Sequence, residues 1–321
     1  MALIQDFSGR VRRTIICQSK HCFGRILDRL SPQTFHSHPK LISSLWYASQ
    51  IGYFPNLRKP KDFHSQLIAV NLKAYRDEAG RKLRIRCADK YEVREYVKER
   101  GLESLLNDCY GVFNDISEVD FDSLPDQFVI KMTNGCGQNY ICRDKRMMNV
   151  KQVCNMFHTW MAQSDTFGLK TGEWHYSQIK PRIIVEKYLS SLGEDKSIID
   201  YKFHCIHGKI AGILVCYDRD NSVHDLNLDF YDSDWNLTEG ILPQFHKDRR
   251  EIPKPFSYPE MFHAVETLCE GIDYVRVDMY EIDGKPLFGE MTFTPAGNIM
   301  LKYSPQTLNQ MLETFNSETN A

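Results

Sequence analysis

Two runs of alternating apolar and polar residues near the end of the chain constrain its fold more than any other feature. They cover residues 274–282 and 286–294, and the dipeptide Asp283-Gly284 between them is a strong turn signal. This pattern predicts an antiparallel hairpin in which successive side chains alternate between two faces. With a three-residue loop over 283–285, we expect Asp278 to lie directly opposite Glu290.

That hairpin would hold two acidic side chains on one face. Directly opposed residues have Cβ atoms about 5 Å apart, and two carboxylates that close repel each other unless a cation lies between them. A small number of oxygen ligands, with room left for phosphate oxygens, suits Mg²⁺. On these residues alone, the alternative is a carboxylate pair neutralised by Arg276 and a lysine.

A lysine followed by a glycine loop forms a second motif. Residues 128–133 predict a strand, Gly135 and Gly137 follow in a loop, and residues 140–142 predict another strand. Lys131 lies in the middle of the apolar strand, where burial is costly without an anion. The glycines would let backbone N–H groups approach a phosphate. A lysine on an edge strand, facing water, is the alternative interpretation.

Two shorter signals lie on either side of this loop. Asp89 and Glu92 have the spacing of a capping box, which predicts Lys90 at the first position of a helix. A helix N-terminus favours a bound anion over a cation. Residues 182–188 predict an apolar strand ending near Glu186, which is either a simple strand exit or a hinge where an adenine edge meets backbone groups.

The remaining pattern predicts an α+β fold with antiparallel sheets, not a doubly wound parallel one. Residues 1–85 predict short helices and loops, and later strands include a hairpin that turns at His207-Gly208. A length of 321 residues allows about two domains. The ten cysteines form no C-x-x-C pair, which predicts free thiols; a zinc site at Cys17, His21 and Cys22 is disfavoured.

Charge is distributed unevenly along the chain. The first 100 residues contain 20 Lys and Arg against 9 Asp and Glu, and the remainder contains 20 against 33. This favours a solvated basic face that pairs with an acidic body, and it leaves open a peripheral contact with a membrane-borne glycan. Nucleic acid is not an expected partner. No apolar run approaches the roughly 20 residues of a membrane span, and the segment after Arg13 is too short for a signal peptide, so we predict a cytoplasmic protein, with contact at the inner membrane face left open.

Together these motifs resemble the ATP-grasp superfamily, and more narrowly its TupA-like branch, which is associated with bacterial surface-polysaccharide synthesis. The resemblance covers roughly residues 50–300 and rests on the order and spacing of five segments: CADKYEVREYV, FVIKMTNGCGQN, PRIIVEKYL, DYKFHCIHGK and VRVDMYEIDGKPLFGEMTFTPAG. It implies two α+β subdomains, residues 86–190 and 191–321, whose antiparallel sheets clamp ATP. A short, mainly helical region, residues 1–85, precedes them.

The resemblance also implies roles for residues of the first subdomain and the segment after it. The matching phosphate-binding positions are Lys90, Lys131, Gly135 and Gly137. The matching adenine hinge is formed by Glu186, Lys187 and Leu189, with Tyr188 between them, and Asp200 matches the acid that binds the ribose hydroxyls.

In the second subdomain the implied roles are catalytic and metal-binding. Arg219 and Arg276 resemble arginines that stabilise the transferring phosphoryl group and the anionic intermediate, and Lys202 would lie near phosphate or substrate. Asp278 and Glu290 match the metal ligands. The third metal ligand of the superfamily is usually Asn, and here it is Thr292.

The implied activity is ATP-dependent, Mg²⁺-dependent ligation of a carboxylate to an amine through an acyl phosphate. Its substrates would be small molecules or glycans, such as a sugar acid or amino-acid unit of a capsule, teichuronic or O-antigen polymer. An ATP-grasp kinase that phosphorylates a sugar or amino acid is one alternative. A glycosyltransferase or a non-catalytic partner in polysaccharide assembly is another, although no D-x-D motif stands in a persuasive place.

Overall fold

The N-terminal part of the chain is helical, as its sequence predicts. A computed structural model describes residues 18–190, 198–220, 225–245 and 250–318, so Cys17 and the arginines before it lie outside the described residues. The helices are α1 (18–28), α2 (Pro32–Ser37), α3 (Pro39–Ile51), α4 (Phe63–Arg76), α5 (Glu78–Ala88) and α6 (Glu92–Glu99). Asp62 and Asp77 cap α4 and α5 by accepting from the backbone N–H groups of Ser65 and Gly80.

A four-stranded antiparallel sheet follows these helices. Its strands are β1 (Cys109–Phe113), β2 (Phe128–Met132), β3 (Asn139–Cys142) and β4 (Ile183–Lys187), in the order β1-β4-β2-β3. Helix α7 (Val150–Ala162) covers one face, and its buried Val153 and Phe157 pack on Phe128 and Ile130. The sequence patterns at 128–133, 140–142 and 182–188 therefore predicted real strands, whereas β1 was missed.

The second sheet has six strands, all antiparallel. In the order β10-β9-β5-β6-β7-β8 they are β10 (Lys285–Thr292), β9 (Tyr274–Ile282), β5 (Asp200–Ile206), β6 (Lys209–Asp220), β7 (Asp225–Tyr231) and β8 (Leu237–Thr238). Helix α8 (Tyr258–Cys269) packs on one face over Phe203 and Val277, and α9 (Pro305–Glu318) lies toward the other. The α+β prediction with antiparallel sheets is confirmed.

The β9–β10 hairpin corrects one detail of the sequence analysis. Its turn has two residues, Asp283 and Gly284, with φ of 53° and 72°, so Ile282 pairs with Lys285, and the predicted three-residue loop is wrong. An irregularity at Gly289 then shifts the register by one residue, and Asp278 pairs with Glu290 after all. The predicted carboxylate pair is therefore correct, although the loop that supported it is not.

The helical region packs against the far end of β10. The Trp46 indole donates to the Gly297 carbonyl at 2.9 Å, and the Asn71 amide donates to the Phe293 carbonyl at 3.1 Å. Helix α5 runs across residue 85, so no break in the helices marks the domain boundary expected there, and the boundaries stay a prediction. No helix among the described residues has the length and apolar character to cross a membrane.

The described cysteines are all free thiols, as predicted. Five of them are buried: Cys87, Cys142, Cys205, Cys216 and Cys269. Burial raises the pKa of Cys87 to about 12, so this thiol stays protonated and behaves as a small apolar side chain.

Candidate functional site

A cluster of charged side chains lies on one face of the six-stranded sheet. Arg276 of β9 donates to both oxygens of Asp278, at 2.6 and 2.8 Å, and to Oε1 of Glu290 at 3.2 Å. Lys202 of the neighbouring strand donates to Asp278 from the other side. These side chains share a face because Lys202, Asp278 and Glu290 are paired across three adjacent strands.

Burial makes this cluster electrostatically strong. Only 1% of the Asp278 side chain is exposed, against 13% for Lys202 and 14% for Arg276. Burial raises the pKa of Asp278, and Arg276 and Lys202 oppose that shift. Burial would likewise lower the pKa of Lys202, but Asp278 and Asp200 outweigh it and raise the pKa above its usual value. Lys202 therefore stays charged, whereas the pKa of Asp278 remains above its usual value because burial outweighs its two cationic partners.

Glu290 differs from Asp278 in keeping 40% of its side chain exposed. Burial would raise its pKa, but Lys90, Arg276 and Lys202 outweigh that effect and lower the pKa to about 2. Thr292 accepts from Arg276 at 3.1 Å and donates to Oε1 of Glu290 at 3.2 Å. Glu290 is therefore an ionised carboxylate at the accessible edge of the cluster.

The cluster continues along β5 to Asp200. Lys202 lies 2.8 Å from Oδ2 of Asp200, and Arg219 of β6 lies 3.3 Å from the same oxygen. The other oxygen, Oδ1, is buried and has no hydrogen-bond partner among the described residues. A buried acceptor of this kind is costly unless a donor reaches it. The structure thus brings together all six residues predicted for catalysis and metal binding, with Asp200 beside them.

The lysine of β2 faces a carboxylate of β4 on the four-stranded sheet. Lys131 donates to Oε2 of Glu186 at 2.7 Å, and Arg94 lies 3.4 Å from the other oxygen. About 32% of the Lys131 side chain remains exposed, compared with 11% for Glu186. The lysine is therefore neither buried alone nor fully directed to water, and its ammonium group keeps access to a second anion.

Lys90 links the two sheets, but not in the predicted way. Helix α6 begins at Glu92, so Lys90 precedes the helix, and its position as the first helical residue is wrong. Asp89 still caps the helix, because its carboxylate accepts from the N–H groups of Tyr91 and Glu92. The freed Lys90 side chain donates to the carbonyl of Gly135 in the glycine loop.

The glycine loop and the hairpin carboxylates lie within electrostatic reach of each other. Lys90 is the cation that does most to lower the pKa of Glu290. In turn, burial and then the charges of Glu290 and Glu173 raise the pKa of Cys136, which lies in the loop. Lys90, held at the glycine loop, and Glu290 of the hairpin therefore lie close to each other.

The predicted adenine hinge follows β4. Neighbours hold the backbone of Lys187: its N–H donates to the Asp108 carbonyl at 3.0 Å, and its carbonyl accepts from the Asn107 amide at 2.9 Å. The Lys187 ammonium group points outward to the Asp108 carboxylate. Leu189 is half-buried just after the strand. The adenine role of these residues stays a prediction.

Two residues at the site were missed by the sequence analysis. Asn134, in the glycine loop, is 1% exposed, and both polar atoms of its amide lack a partner. Arg182 bridges Asp89 and Glu92 at 2.8 and 2.7 Å, which fixes the segment that carries Lys90. The sequence placed Asn134 in the loop, but only the folded chain shows that its amide is buried.

The residues present fit a magnesium ion that is shared with phosphate groups. Among the residues that the structure describes, no three His, Cys, Asp or Glu side chains form a metal-ligand group. Two carboxylates, Asp278 and Glu290, together with the Thr292 hydroxyl would leave positions for phosphate oxygens. Mg²⁺ favours this donor set, since it commonly uses one or two carboxylates and substrate phosphates.

The match to a family model puts this protein in the class of ATP-grasp enzymes. The sequence matches the TupA-like ATP-grasp family over residues 70–314, about three quarters of the chain, and the chain therefore belongs to that family. No curated protein matches it.

Solved structures similar to this chain are distant in sequence. A D-alanine–D-alanine ligase from Bacillus anthracis has 15% identity and a TM-score of 0.41, with 72% of this chain and 68% of that chain covered. An L-amino acid ligase from Bacillus licheniformis has 13% identity and a TM-score of 0.39, with 66% and 41% covered. The D-cycloserine synthetase DcsG has 13% identity and a TM-score of 0.37, with 72% and 70% covered.

Proposed function

We propose that this protein joins a carboxylate to an amine through an acyl phosphate, on a sugar-acid or amino-acid unit of a bacterial surface polysaccharide. In that reaction the carboxylate takes the γ-phosphoryl group of ATP, which releases ADP, and the amine then displaces phosphate to form an amide. The family supports the ligase class, and its TupA-like branch is the reason for proposing a polysaccharide unit.

One observation carries the proposal: Asp278 and Glu290 share a face of the hairpin, and Lys90, which donates to the Gly135 carbonyl in the glycine loop, lowers the pKa of Glu290. This arrangement sets two carboxylates against a glycine loop to which a lysine is bound. A divalent ion held by Asp278, Glu290 and Thr292 would neutralise phosphate charge when bound. A triphosphate suits the space between the hairpin carboxylates and Lys90, because its oxygens can bind a metal ion and an ammonium group at the same time.

The chain's own side chains have separable roles in this proposal. Lys131 and Lys90 would bind phosphate oxygens, and Glu186 holds the Lys131 ammonium group in position. Arg276 orients both carboxylates and would place positive charge beside the reacting oxygens, with Arg219 at the outer edge. Such preoriented charges stabilise a transition state more than mobile water does, because they need no reorganisation.

The reaction requires no nucleophile from the protein. The buried His204, for example, is held by the hydroxyls of Tyr274 and Tyr303 at 2.8 Å each. Burial lowers the pKa of His204, so its imidazole is neutral in the core and has a structural place there. The chemistry therefore rests on the charged face of the hairpin and the lysines opposite it.

The test is to incubate the full-length protein with Mg²⁺-ATP and pairs of candidate substrates, such as glucuronate with an amino acid. We expect ADP release that needs both a carboxylate and an amine, and an amide product with the mass of the pair less one water. ADP release with a single acceptor and a stable phosphate ester would instead identify a kinase. A melting temperature that rises with nucleotide sugars but not with ATP would contradict both the ligase and the kinase assignments.

A further inference from the structure

The helical region carries positive charge that its own acids do not balance. Residues 18–62 contain seven Lys and Arg but only two acids, Asp28 and Asp62. Asp28 forms an ion pair with Lys170 of the segment before β4, and Asp62 lies 4.0 Å from the imidazole of His64. Among the residues that the structure describes, none of the seven cations has a carboxylate within 4.0 Å. The region therefore presents an excess of unpaired positive charge.

Helix α1 turns basic side chains away from the fold. Leu27 is buried, and Phe23 and Leu30 pack beside it in the core of the helical region. Arg25 and, at the end of the helix, Arg29 are both exposed. Because residues four positions apart lie on one face of a helix, the two arginines share the side opposite Leu27. The outer side of α1 is therefore basic.

Exposed apolar side chains lie next to these arginines. Ile26 of α1 is 42% exposed, and Tyr53 and Phe54 of the loop after α3 are 57% and 51% exposed. The Phe54 ring contacts the Phe23 ring edge-on, with 4.9 Å between the ring centroids. Phe23 and Ile26 are three positions apart on α1 and are therefore neighbours along the helix. The loop and the helix thus form one surface, and exposed apolar patches of this kind mark sites of interaction.

The loop adds further basic residues to this surface. The Asn56 side-chain oxygen accepts from the N–H groups of Arg58 and Lys59 at 3.2 and 3.1 Å, which forms a turn directly after the two aromatic residues. Both basic side chains are exposed. We call the following residues the α1 surface: Arg25, Ile26, Arg29, Phe54, Arg58 and Lys59.

We propose that the α1 surface binds the face of a membrane that contains anionic phospholipids. Such a membrane has a negative surface potential that attracts Lys and Arg close to it. Because these cations have no carboxylate neighbour in the described part of the chain, binding breaks no ion pair there. The inference goes beyond the proposed ligation and does not depend on it, since the surface contains no residue of the charged cluster or of the glycine loop.

The mixture of charged and apolar side chains favours a membrane over a nucleic acid. A nucleic acid is bound mainly through Lys and Arg at its phosphates, which would leave Ile26 and Phe54 in water. At a membrane, apolar side chains insert into the boundary between headgroups and acyl chains, while basic side chains stay among the headgroups. Both parts of the α1 surface therefore gain contacts at a membrane.

Co-sedimentation of the full-length protein with vesicles tests the proposal. One set of vesicles is pure phosphatidylcholine, and the other contains about one third phosphatidylglycerol, which is anionic. We expect binding to the anionic vesicles to be about tenfold tighter or more, and to weaken as the salt concentration rises from about 0.05 to about 0.3 M. Equal affinity for both kinds of vesicle, or binding to neither, would overturn the proposal.

Arg25→Gln combined with Arg29→Gln tests the charged part of the surface. Loss of two basic residues should weaken binding to the anionic vesicles by about 25-fold, since each contributes about fivefold near such a membrane. Lys151→Gln combined with Lys285→Gln is the matched control, because it removes the same charge from exposed positions on α7 and β10. An equal loss in both double variants would show attraction by net charge alone and would overturn the assignment to the α1 surface.

Ile26→Ser combined with Phe54→Ser tests the apolar part of the surface. We expect binding to the anionic vesicles to weaken by about tenfold, and binding to a single-stranded oligonucleotide to stay the same, because its phosphates contact only the charges. Unchanged affinity for the vesicles, or an equal loss for both probes, would overturn the membrane assignment. Melting temperatures check that each variant is folded, and Ile26→Ser alone repeats the test if the double variant is destabilised.

Discussion

The hairpin cluster (Lys202, Arg276, Asp278 and Glu290) and the Arg84 pocket (lined by Asn71, Arg84, Trp174 and His175 among others) treat buried charge differently. In the cluster, Arg276 lies within 3.2 Å of Asp278 and Glu290, and Lys202 contacts Asp278 as well as Asp200. In the pocket, Arg84 donates to two neutral oxygens, and among the described residues Trp174 Nε1 and His175 Nε2 have no hydrogen-bond partner. Little of either arginine is exposed, so the two regions differ mainly in the partners that surround the charge.

This difference predicts how each region responds to substitution. A closed network of ions holds its members in place, and loss of one member leaves the others uncompensated. A buried charge whose hydrogen bonds go to neutral groups lowers the stability of the fold. We therefore expect a large loss of activity from substitutions in the cluster and smaller changes in stability from substitutions around the pocket.

The largest effect is expected from Asp278→Asn. The substitution keeps the shape of the side chain. It removes the negative charge that balances Arg276 and Lys202, and it replaces a carboxylate that is proposed to bind the metal. We expect turnover of Mg²⁺-ATP to fall by about 10²- to 10³-fold. Asp283→Asn on the exposed turn of the same hairpin is the control, since asparagine tolerates its positive φ of 53°. Full turnover in Asp278→Asn would remove the metal role.

A smaller loss is expected from Lys131→Met. Without the ammonium group, a bound phosphate would lose one charge-assisted hydrogen bond, worth about 1.5–3 kcal/mol. Affinity for Mg²⁺-ATP, measured by calorimetry, should fall by about 10- to 100-fold. Lys151→Met on the exposed face of α7 should leave the affinity unchanged. If Lys131→Met binds Mg²⁺-ATP as tightly as Lys151→Met does, Lys131 serves only as the partner of Glu186.

The pocket predicts a pH dependence of stability. The pKa of His175 is about 3 in the folded protein because of burial and Arg84, against about 6.5 in an unfolded chain. The unfolded chain therefore binds the proton first as the pH falls. Stability from the neutral ring is complete above pH 6.5 and is lost as the pH falls toward 3.

Between pH 7 and pH 5 the wild type should lose about 2 kcal/mol more of its unfolding free energy than His175→Gln does. Urea denaturation at the two pH values measures this difference. His64 and His204 also have lowered pKa values because of burial, but they remain in both proteins and cancel. His263→Gln, on the exposed side of α8, should behave as the wild type. If His175→Gln loses as much unfolding free energy as the wild type between pH 7 and pH 5, the pKa of His175 is not lowered in the folded protein.

The smallest effect is expected from Gly289→Ala at the irregularity of β10. A Cβ there would lie 2.8 Å from the Tyr280 ring and 2.9 Å from the Asp278 carbonyl oxygen, which is too close. We expect a destabilisation of about 1–3 kcal/mol from this overpacking. Gly24→Ala, where no atom lies within 4 Å, should be neutral or slightly stabilising. A stable, fully active Gly289→Ala protein would show that the register does not depend on this glycine.

The sequence predicted the regular parts of the fold well, because alternation and turn residues act locally. The strands around Lys131 and the turn at His207-Gly208 follow from spacing alone. The two-residue turn and the register shift at Gly289 could not be predicted in this way. The predicted loop was one residue too long and the shift at Gly289 was missed, and these two errors cancelled, so the pairing of Asp278 with Glu290 was still predicted correctly.

The site was harder to predict where it depends on distant segments. Lys90 was placed on a helix because capping residues are visible in sequence, whereas its contact with Gly135 spans 45 positions. Burial of Asn134, Trp174 and His175 depends on how α4, α5 and the hairpin pack together. No periodicity encodes such packing, so the pocket could be found only in the folded chain.

The contacts between the helical region and the end of β10 have a consequence for how the chain is made. Asn71 reaches the Phe293 carbonyl across 222 positions, and Trp46 reaches Gly297 across 251. At translation rates of about 5–20 residues per second, the early helices wait roughly 11–50 s for these partners. The helical region therefore completes its packing only after the final hairpin has been synthesised.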